Sequence, residues 1–200
     1  MASSSLDELI GLFTKLPSMG SRSARRVVLH LLKKKTLIPK LIESLNDVQS
    51  NIKFCSICGN IDIIDPCNIC MNEKRKKDRI CIIEDVVDLW AIEKSNAFNG
   101  QYHILGGVLS AIDGIGPEDL NISSLFERIK KGNVKEVIMA TNSTVEGQIT
   151  AHYIADQCKN LNILITRLAQ GMPMGSELEI LDYNTLSTAF KSRSKLETNL

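Results

Sequence analysis

The chain has 200 residues, of which 44% are hydrophobic and 24% charged, with a net charge of +1. This composition supports a packed core and excludes a disordered chain. The near-zero net charge excludes a polycation, so any nucleic-acid contact must come from local patches. No apolar run approaches the length of a membrane span, and the start "MASSSLDELI" lacks the basic-then-apolar order of a signal peptide. The expected compartment is the cytoplasm, where thiols stay reduced and disulfides are a poor default for the six cysteines.

In chain order, "SSSLDELIGLFTKLP" predicts a helix. Ser5 and Glu8 have capping-box spacing, Leu6, Leu9, Ile10 and Phe13 share a face, and Pro17 stops it. "PSMGS" predicts a tight turn, with Gly20 available for a positive φ. A second helix, "SRSARRVVLHLLKKK", sets Ala24, Val27, Val28, Leu31 and Leu32 on one side and Arg22, Arg26, His30 and Lys33 on the other. A third runs from about Pro39, with Leu41, Leu45, Val48 and Ile52 as its apolar positions.

Four cysteines follow: Cys55, Cys58, Cys67 and Cys70, spaced C-x2-C-x8-C-x2-C. Each pair places two thiolates on one turn, and two such turns facing each other make a closed tetrahedral set, the geometry of structural zinc. A redox motif of the thioredoxin kind would want a single C-x-x-C at a strand-to-helix junction. Four thiolates leave no open position for water, so the site is expected to be structural rather than catalytic. Cys81 and Cys158 sit in apolar segments and are expected to pack in the core.

Beyond Asp78 the pattern changes. "RICIIEDVVD", "QYHIL", "KEVIMATN" and "LNILITRLA" predict strands, alternating with the helices "VDLWAIEKS", "ISSLFERIKKG" and "VEGQITAHYIADQCKN". Such alternation predicts a parallel α/β sheet. Between them, "GGVLSAIDGIGPEDLN" is a glycine-rich loop without the Lys-Ser/Thr of a phosphate-binding P-loop. The last segment predicts a loop, a short strand or turn, and a final helix. Its "LEILD" run resembles a Walker B strand ending in Asp182, but without a Walker A partner no ATPase is inferred. His30, His103 and His152 have no metal-ligand partner by spacing and are expected to be ordinary packing or surface residues. Ligands of open α/β sheets gather beyond the carboxyl ends of the strands. Glu84 and Asp85 end the first strand, and Thr141 to Gln148, with Glu146 as its single acid, follow a later one. That is poor in carboxylates for a two-metal centre.

Several stretches, agreeing in order and spacing, resemble the RecR family of bacterial recombination mediators along nearly the whole chain. "LPSMGSRSARRVVLHLL" is similar to its helix–hairpin–helix, the four cysteines to its zinc finger, and "ICIIEDVVDLWAIE" and "ATNSTVEGQ" to its Toprim domain. "YHILGGVLSAIDGIGPEDL" and "RLAQGMPMGSELEILDYNTL" match further signature stretches. The resemblance implies a modular α/β protein: a helical hairpin over 1–53, a four-cysteine finger over 54–77, a Toprim parallel-sheet domain over 78–174 and a short C-terminal segment over 175–200. It also implies one structural Zn²⁺ per chain.

Catalytic Toprim domains carry a glutamate on the first strand and D-x-D on a later one. Glu84 matches the glutamate, but Asn142 and Thr144 occupy the D-x-D positions. The resemblance therefore implies a non-enzymatic DNA clamp. Such clamps form ring-like oligomers and act with RecO and RecF to load RecA onto gapped DNA. By the hairpin context Arg22, Arg25, Arg26 and Lys33 would contact DNA, without sequence preference; by the family's acidic Toprim surface Glu84 and Glu146 would contact RecO. The competing classes are a Mg²⁺-dependent Toprim nuclease or topoisomerase and a protein-only adaptor. Two departures from the family pattern stand out: Ser18-Met19-Gly20 where the hairpin usually reads G-I-G, and Gln148 where the Toprim loop usually ends in a second glutamate. The basic run Glu73 to Arg79 is a weaker DNA candidate, or a solvated face of the finger.

Overall fold

The structure, a computed structural model, describes residues 4–193. The chain divides into two compact units, Met1–Ile52 and Lys53–Leu200.

The first unit is helical: α1 (Ser4–Thr14), α2 (Ser21–Lys33) and α3 (Leu37–Asn51). Ser5 already lies inside α1, so it does not cap the helix as its spacing with Glu8 predicts. α1 ends before Pro17, through turns in which Lys15 and Leu16 donate to the carbonyls of Leu12 and Phe13. The positive φ falls on Ser18 (φ 61) and not on Gly20, which caps α2 with ordinary extended backbone (φ −75, ψ 166). The chain turns two residues earlier than the glycine suggests, where Met19 N donates to the Leu16 carbonyl. On α2, Ala24, Val28 and Leu31 are buried, whereas Val27 is half-buried and Leu32 exposed. α3 begins two residues ahead of Pro39, which still falls in the first turn, where its missing N–H leaves no intrahelical bond unmade.

The second unit starts with a short antiparallel pair, β1 (Lys53–Phe54) and β2 (Ile61–Asp62), and a single helical turn, α4 (Asn68–Met71). The elements β3 (Arg79–Ile83), α5 (Val86–Ser95), β4 (Gln101–Ile104), α6 (Ile122–Lys131), β5 (Glu136–Met139), α7 (Val145–Gln157) and β6 (Leu164–Arg167) follow. The four long strands form the parallel sheet foreseen from the alternation, in the order β4-β3-β5-β6. β3 shows why a near-continuous apolar run is needed here: a strand covered on both faces alternates its side chains between two cores. Ile80 and Ile82 enter one core with Leu105, Leu125, Val137 and Ile154. Cys81 and Ile83 enter the other with Val86, Leu89, Tyr102 and Ile104. Cys158 is buried in the first core, so both lone cysteines are packing residues, and burial pushes the Cys81 thiol up to about 12.

The strand order fixes the working end of the sheet. From β3 the chain crosses to β4 on one side and then returns to β5 on the other, so the connections diverge between β3 and β5. In such sheets the crevice at this switch point, beyond the carboxyl ends of the strands, is where ligands gather. Glu84 and Asn142 are the residues placed there.

The C-terminal segment departs from expectation. "LEILD" is not a strand: Leu178–Ile180 form a 3₁₀ turn and Asp182 caps α8 (Tyr183–Lys191), accepting from Thr185 N at 3.0 Å. An exposed carboxylate committed to a helix cap is not a Walker B acid. The part of the predicted final helix from residue 194 onward lies outside the described residues. No helix among the described residues is long and apolar enough to cross a membrane.

Candidate functional sites

The four finger cysteines converge. Their sulfurs all lie within 4.8 Å of one another, with Cys58 Sγ 3.6 Å from Cys67 Sγ and Cys55 Sγ 3.9 Å from Cys70 Sγ. Zn–S bonds of about 2.3 Å at the tetrahedral angle would set sulfurs about 3.8 Å apart, so the donor set fits such an ion closely. Backbone amides already point at it: Asn60 N lies 3.5 Å from Cys58 Sγ, and Cys67 N lies 3.3 Å from Cys55 Sγ. Hydrogen bonding to Cys67, with burial adding, pushes Cys58 up to about 12, and sharing with Cys58 and Cys67 raises Cys70. Cys67, which accepts from Cys58 and Cys70, is driven down. A divalent ion would replace the thiol protons and stabilise all four thiolates.

This knuckle is bolted to the sheet. Ile104 N donates to the Cys58 carbonyl at 2.8 Å. Gly59 takes a left-handed φ of 78 directly against Ile104, where an added Cβ would sit 3.3 Å from that side chain. Beyond the knuckle, Arg75 makes a latch that the solvated reading of its basic run did not anticipate. Its guanidinium pairs with Glu93, donates to the Gly100 carbonyl at 2.9 Å and lies 5.7 Å above the Tyr102 ring. Tyr102 Oη donates to the same Glu93 at 2.6 Å. Burial alone would push Glu93 up, but hydrogen bonds from Arg75 and Tyr102 outweigh it and hold the carboxyl below its usual range. The latch partners lie 18 and 25 residues from Arg75 along the chain, so no local pattern marks it. On β4, His103 is buried and its Nε2 lies 2.7 Å from the Asn121 carbonyl; burial holds its pKa down at about 4.

At the switch point both carboxylate oxygens of Glu84 accept a hydrogen bond. Asn142 donates to it twice, from its backbone N to Oε1 at 2.7 Å and from Nδ2 to Oε2 at 2.7 Å. Gly147 lies beneath this pair: an added Cβ would collide with the Asn142 carbonyl and come within 2.9 Å of Glu84 Oε1. Thr144 is the N-cap of α7, accepting from Gly147 N at 3.1 Å. Asp85 caps α5 in a capping box with Asp88. Of the acids at the strand ends, Glu84 is therefore tied to Asn142, Asp85 to its helix, and Glu146 lies half-buried in the first turn of α7. A cleft of about 400 Å³ opens beside Asn142, between α7 and β6, with Gln148, His152 and Arg167 in its walls. In the helical unit, Arg22, Arg25, Arg26 and Lys33 are all exposed along α2.

These features define a Toprim-type α/β protein joined to a four-cysteine metal knuckle and a helical hairpin. Comparison with known proteins agrees. The model of the Toprim domain matches residues 78–169, and the model described as RecR, helix-hairpin-helix, matches residues 6–48. Recombination protein RecR of Rhizobium meliloti (strain 1021) is 52% identical over 190 residues, 94% of each chain. The RecR proteins of Sinorhizobium medicae (52% over 192 residues, 96% of each chain) and Parvibaculum lavamentivorans (53% over 189 residues, 94% of this chain and 95% of the relative) are similarly close. The chain belongs to the RecR family.

Proposed function

We propose that this protein is a DNA-binding mediator of recombinational DNA repair that performs no covalent chemistry of its own. In this scheme it is a cytoplasmic oligomeric clamp, a dimer or tetrameric ring that works with RecO and RecF to help load RecA on gapped DNA. Arg22, Arg25, Arg26 and Lys33 contact DNA phosphates without sequence preference, and Glu84 and Glu146 contribute to the partner-binding surface. The cysteine set holds one Zn²⁺ per chain. The functional parts are a hairpin over 1–53, a finger over 54–77, a Toprim domain over 78–174 and a C-terminal segment over 175–200.

The observation that carries the non-enzymatic assignment is the double hydrogen bond from Asn142 to Glu84. A Toprim metal centre needs that carboxylate facing other carboxylates across a bound Mg²⁺. Here a neutral amide donates to both of its oxygens, and the second acidic position, Thr144, is spent on a helix cap. Family membership and the exposed arginines of α2 support the DNA role.

Incubating the protein with supercoiled and nicked DNA in Mg²⁺ is expected to leave both unchanged. Cleavage or relaxation that disappears in Glu84→Ala would overturn the proposal in favour of a Toprim enzyme. Replacing Arg22 and Arg26 together by alanine should weaken DNA binding and lower its salt dependence by about 2 in log–log slope. An unchanged slope removes α2 from the DNA surface.

A further inference from the structure

The parallel sheet has two ends of opposite charge. The carboxyl end carries Glu84, Asp85 and Glu146. At the amino end, the segment leading into β3 and the α6–β5 loop enclose a cleft of about 710 Å³ lined by Lys76, Lys77, Asp78, Arg79, Gly132 and Asn133. Lys130, Lys131 and Lys135 come from the last turn of α6 and the loop beside it. The backbone here is anchored: Lys135 N and Glu136 N both donate to the Asp78 carbonyl, at 2.7 and 3.1 Å, and Lys76 N donates to the Asn99 carbonyl at 3.0 Å. The Arg75 latch fixes the preceding residue as well.

The ion pairs among the described residues are Arg75–Glu93, Arg79–Asp78, Lys131–Glu127 and Lys159–Asp156. Lys76, Lys77, Lys130 and Lys135 thus present exposed ammonium groups with no carboxylate partner among the described residues, on a chain whose net charge is only +1. No aromatic or aliphatic side chain lines the cleft. A protein interface of any strength needs buried apolar or aromatic anchors, and none is offered. Flexible lysines around an open cleft suit phosphates spaced along a backbone, where contact is by point charge and carries no sequence information.

We infer that the amino-terminal end of the sheet is a second DNA-phosphate surface, separate from α2, with Lys76, Lys77 and Lys135 as its principal contacts. This rests on the DNA-binding function proposed above, and adds a contact from the sheet unit to that of the hairpin. The opposite end of the sheet, being acidic, would repel the same polyanion, so the unit is electrostatically oriented on DNA.

The test is fluorescence anisotropy on a labelled duplex and on a single strand of the same sequence, over a salt series, with full-length protein. Lys76→Ala/Lys77→Ala/Lys135→Ala should lower the log–log salt slope by about 2 to 3 on duplex and by about 2 on single strand. The triple Lys→Arg variant should keep the parent slope. Arg22→Ala/Arg26→Ala, made separately and in combination, should lower the slope by its own amount in either background. If the lysine variant leaves the slope unchanged while the α2 variant lowers it, the second surface is refuted, the α2 assignment stands, and an acidic protein becomes the occupant to seek. If only the lysine variant lowers the slope, the α2 assignment fails and the sheet surface stands. A loss of affinity at unchanged slope would also refute the inference, because phosphate contacts must release counterions.

Discussion

Replacing Arg75 tests how the finger is held to the sheet. The Arg75 side chain is 11% exposed and that of Glu93 28%, so the pair is well shielded without being fully dry. Arg75→Ala removes a charged hydrogen bond to the Gly100 carbonyl, about 1.5–3 kcal/mol, and a cation–π contact over Tyr102, about 0.5–1 kcal/mol. It also leaves Glu93 half-buried with Tyr102 as its remaining partner. These losses overlap, and the expected total is about 3 kcal/mol, a fall in the urea midpoint of roughly 1–2 M. Arg75→Lys keeps the charge but not the planar fork that reaches Glu93 and Gly100 together, and should lose about half as much. The single tryptophan, Trp90, lies on α5 one turn from Glu93 and reports unfolding of this unit by fluorescence. The pH dependence follows from Glu93. Its folded-state carboxyl is held below the ordinary 4.5, so its contribution is present above that pH and is lost as pH falls through the folded value. The gap between parent and Arg75→Ala should therefore be widest near neutrality and narrow in acid, leaving the Gly100 and Tyr102 contacts. An equal gap at pH 7 and pH 3 would refute the ion pair as its source, and no gap at either pH would refute the latch.

Three further outcomes are expected. Metal analysis should find about one zinc per chain, and Cys55→Ser with Cys70→Ser should release it and loosen the β4 side of the sheet in hydrogen exchange; unchanged folding and protection would refute a structural centre. His103 is buried as the neutral imidazole, with its pKa at about 4 against an ordinary 6.5, so the unfolded chain takes up its proton first as the solution is acidified. Stability should rise with pH between those values by roughly 3 kcal/mol, and His103→Gln should remove that part of the slope, which pH-series denaturation can read; a parallel curve would disprove it. Ser18→Gly should raise the thermal midpoint, since Ser18 holds a left-handed φ of 61 that costs roughly 1 kcal/mol for a residue with a Cβ. A lower midpoint would mean that the serine side chain contributes more than the strain costs.

Those parts of the molecule governed by periodicity and spacing were legible in the sequence. The strand–helix alternation after Asp78 gives the parallel sheet because apolar strands and amphipathic helices carry their burial in their own pattern. The cysteines meet because two C-x2-C turns have few other ways to use four thiols. What escaped is long-range pairing between residues that look ordinary where they stand. Arg75 sits in a basic run that predicts solvent, yet its partners are brought by α5 and β4. Asp85 looks like a site acid but is consumed by α5 as a cap. Glu84 and Asn142 are 58 residues apart, and only the crossing of the chain at the switch point makes them neighbours. The shift of the positive φ from Gly20 to Ser18 has the same character: the turn closes on the Leu16 carbonyl, and that bond, not the residue best suited to the angle, decides where the chain bends.

Strand β4 is an outermost strand, and such strands ordinarily offer a row of unpaired amides and carbonyls to any passing chain. Here the row is stoppered. The Gly100 carbonyl accepts from Arg75, the Tyr102 carbonyl from Arg128 at 2.5 Å, the Ile104 carbonyl from Asn121 at 3.1 Å, and Ile104 N is given to Cys58. Two guanidiniums, an amide and a metal knuckle together do what a fifth strand would have done. The knuckle thus also covers part of an edge at which strand-to-strand pairing would otherwise begin.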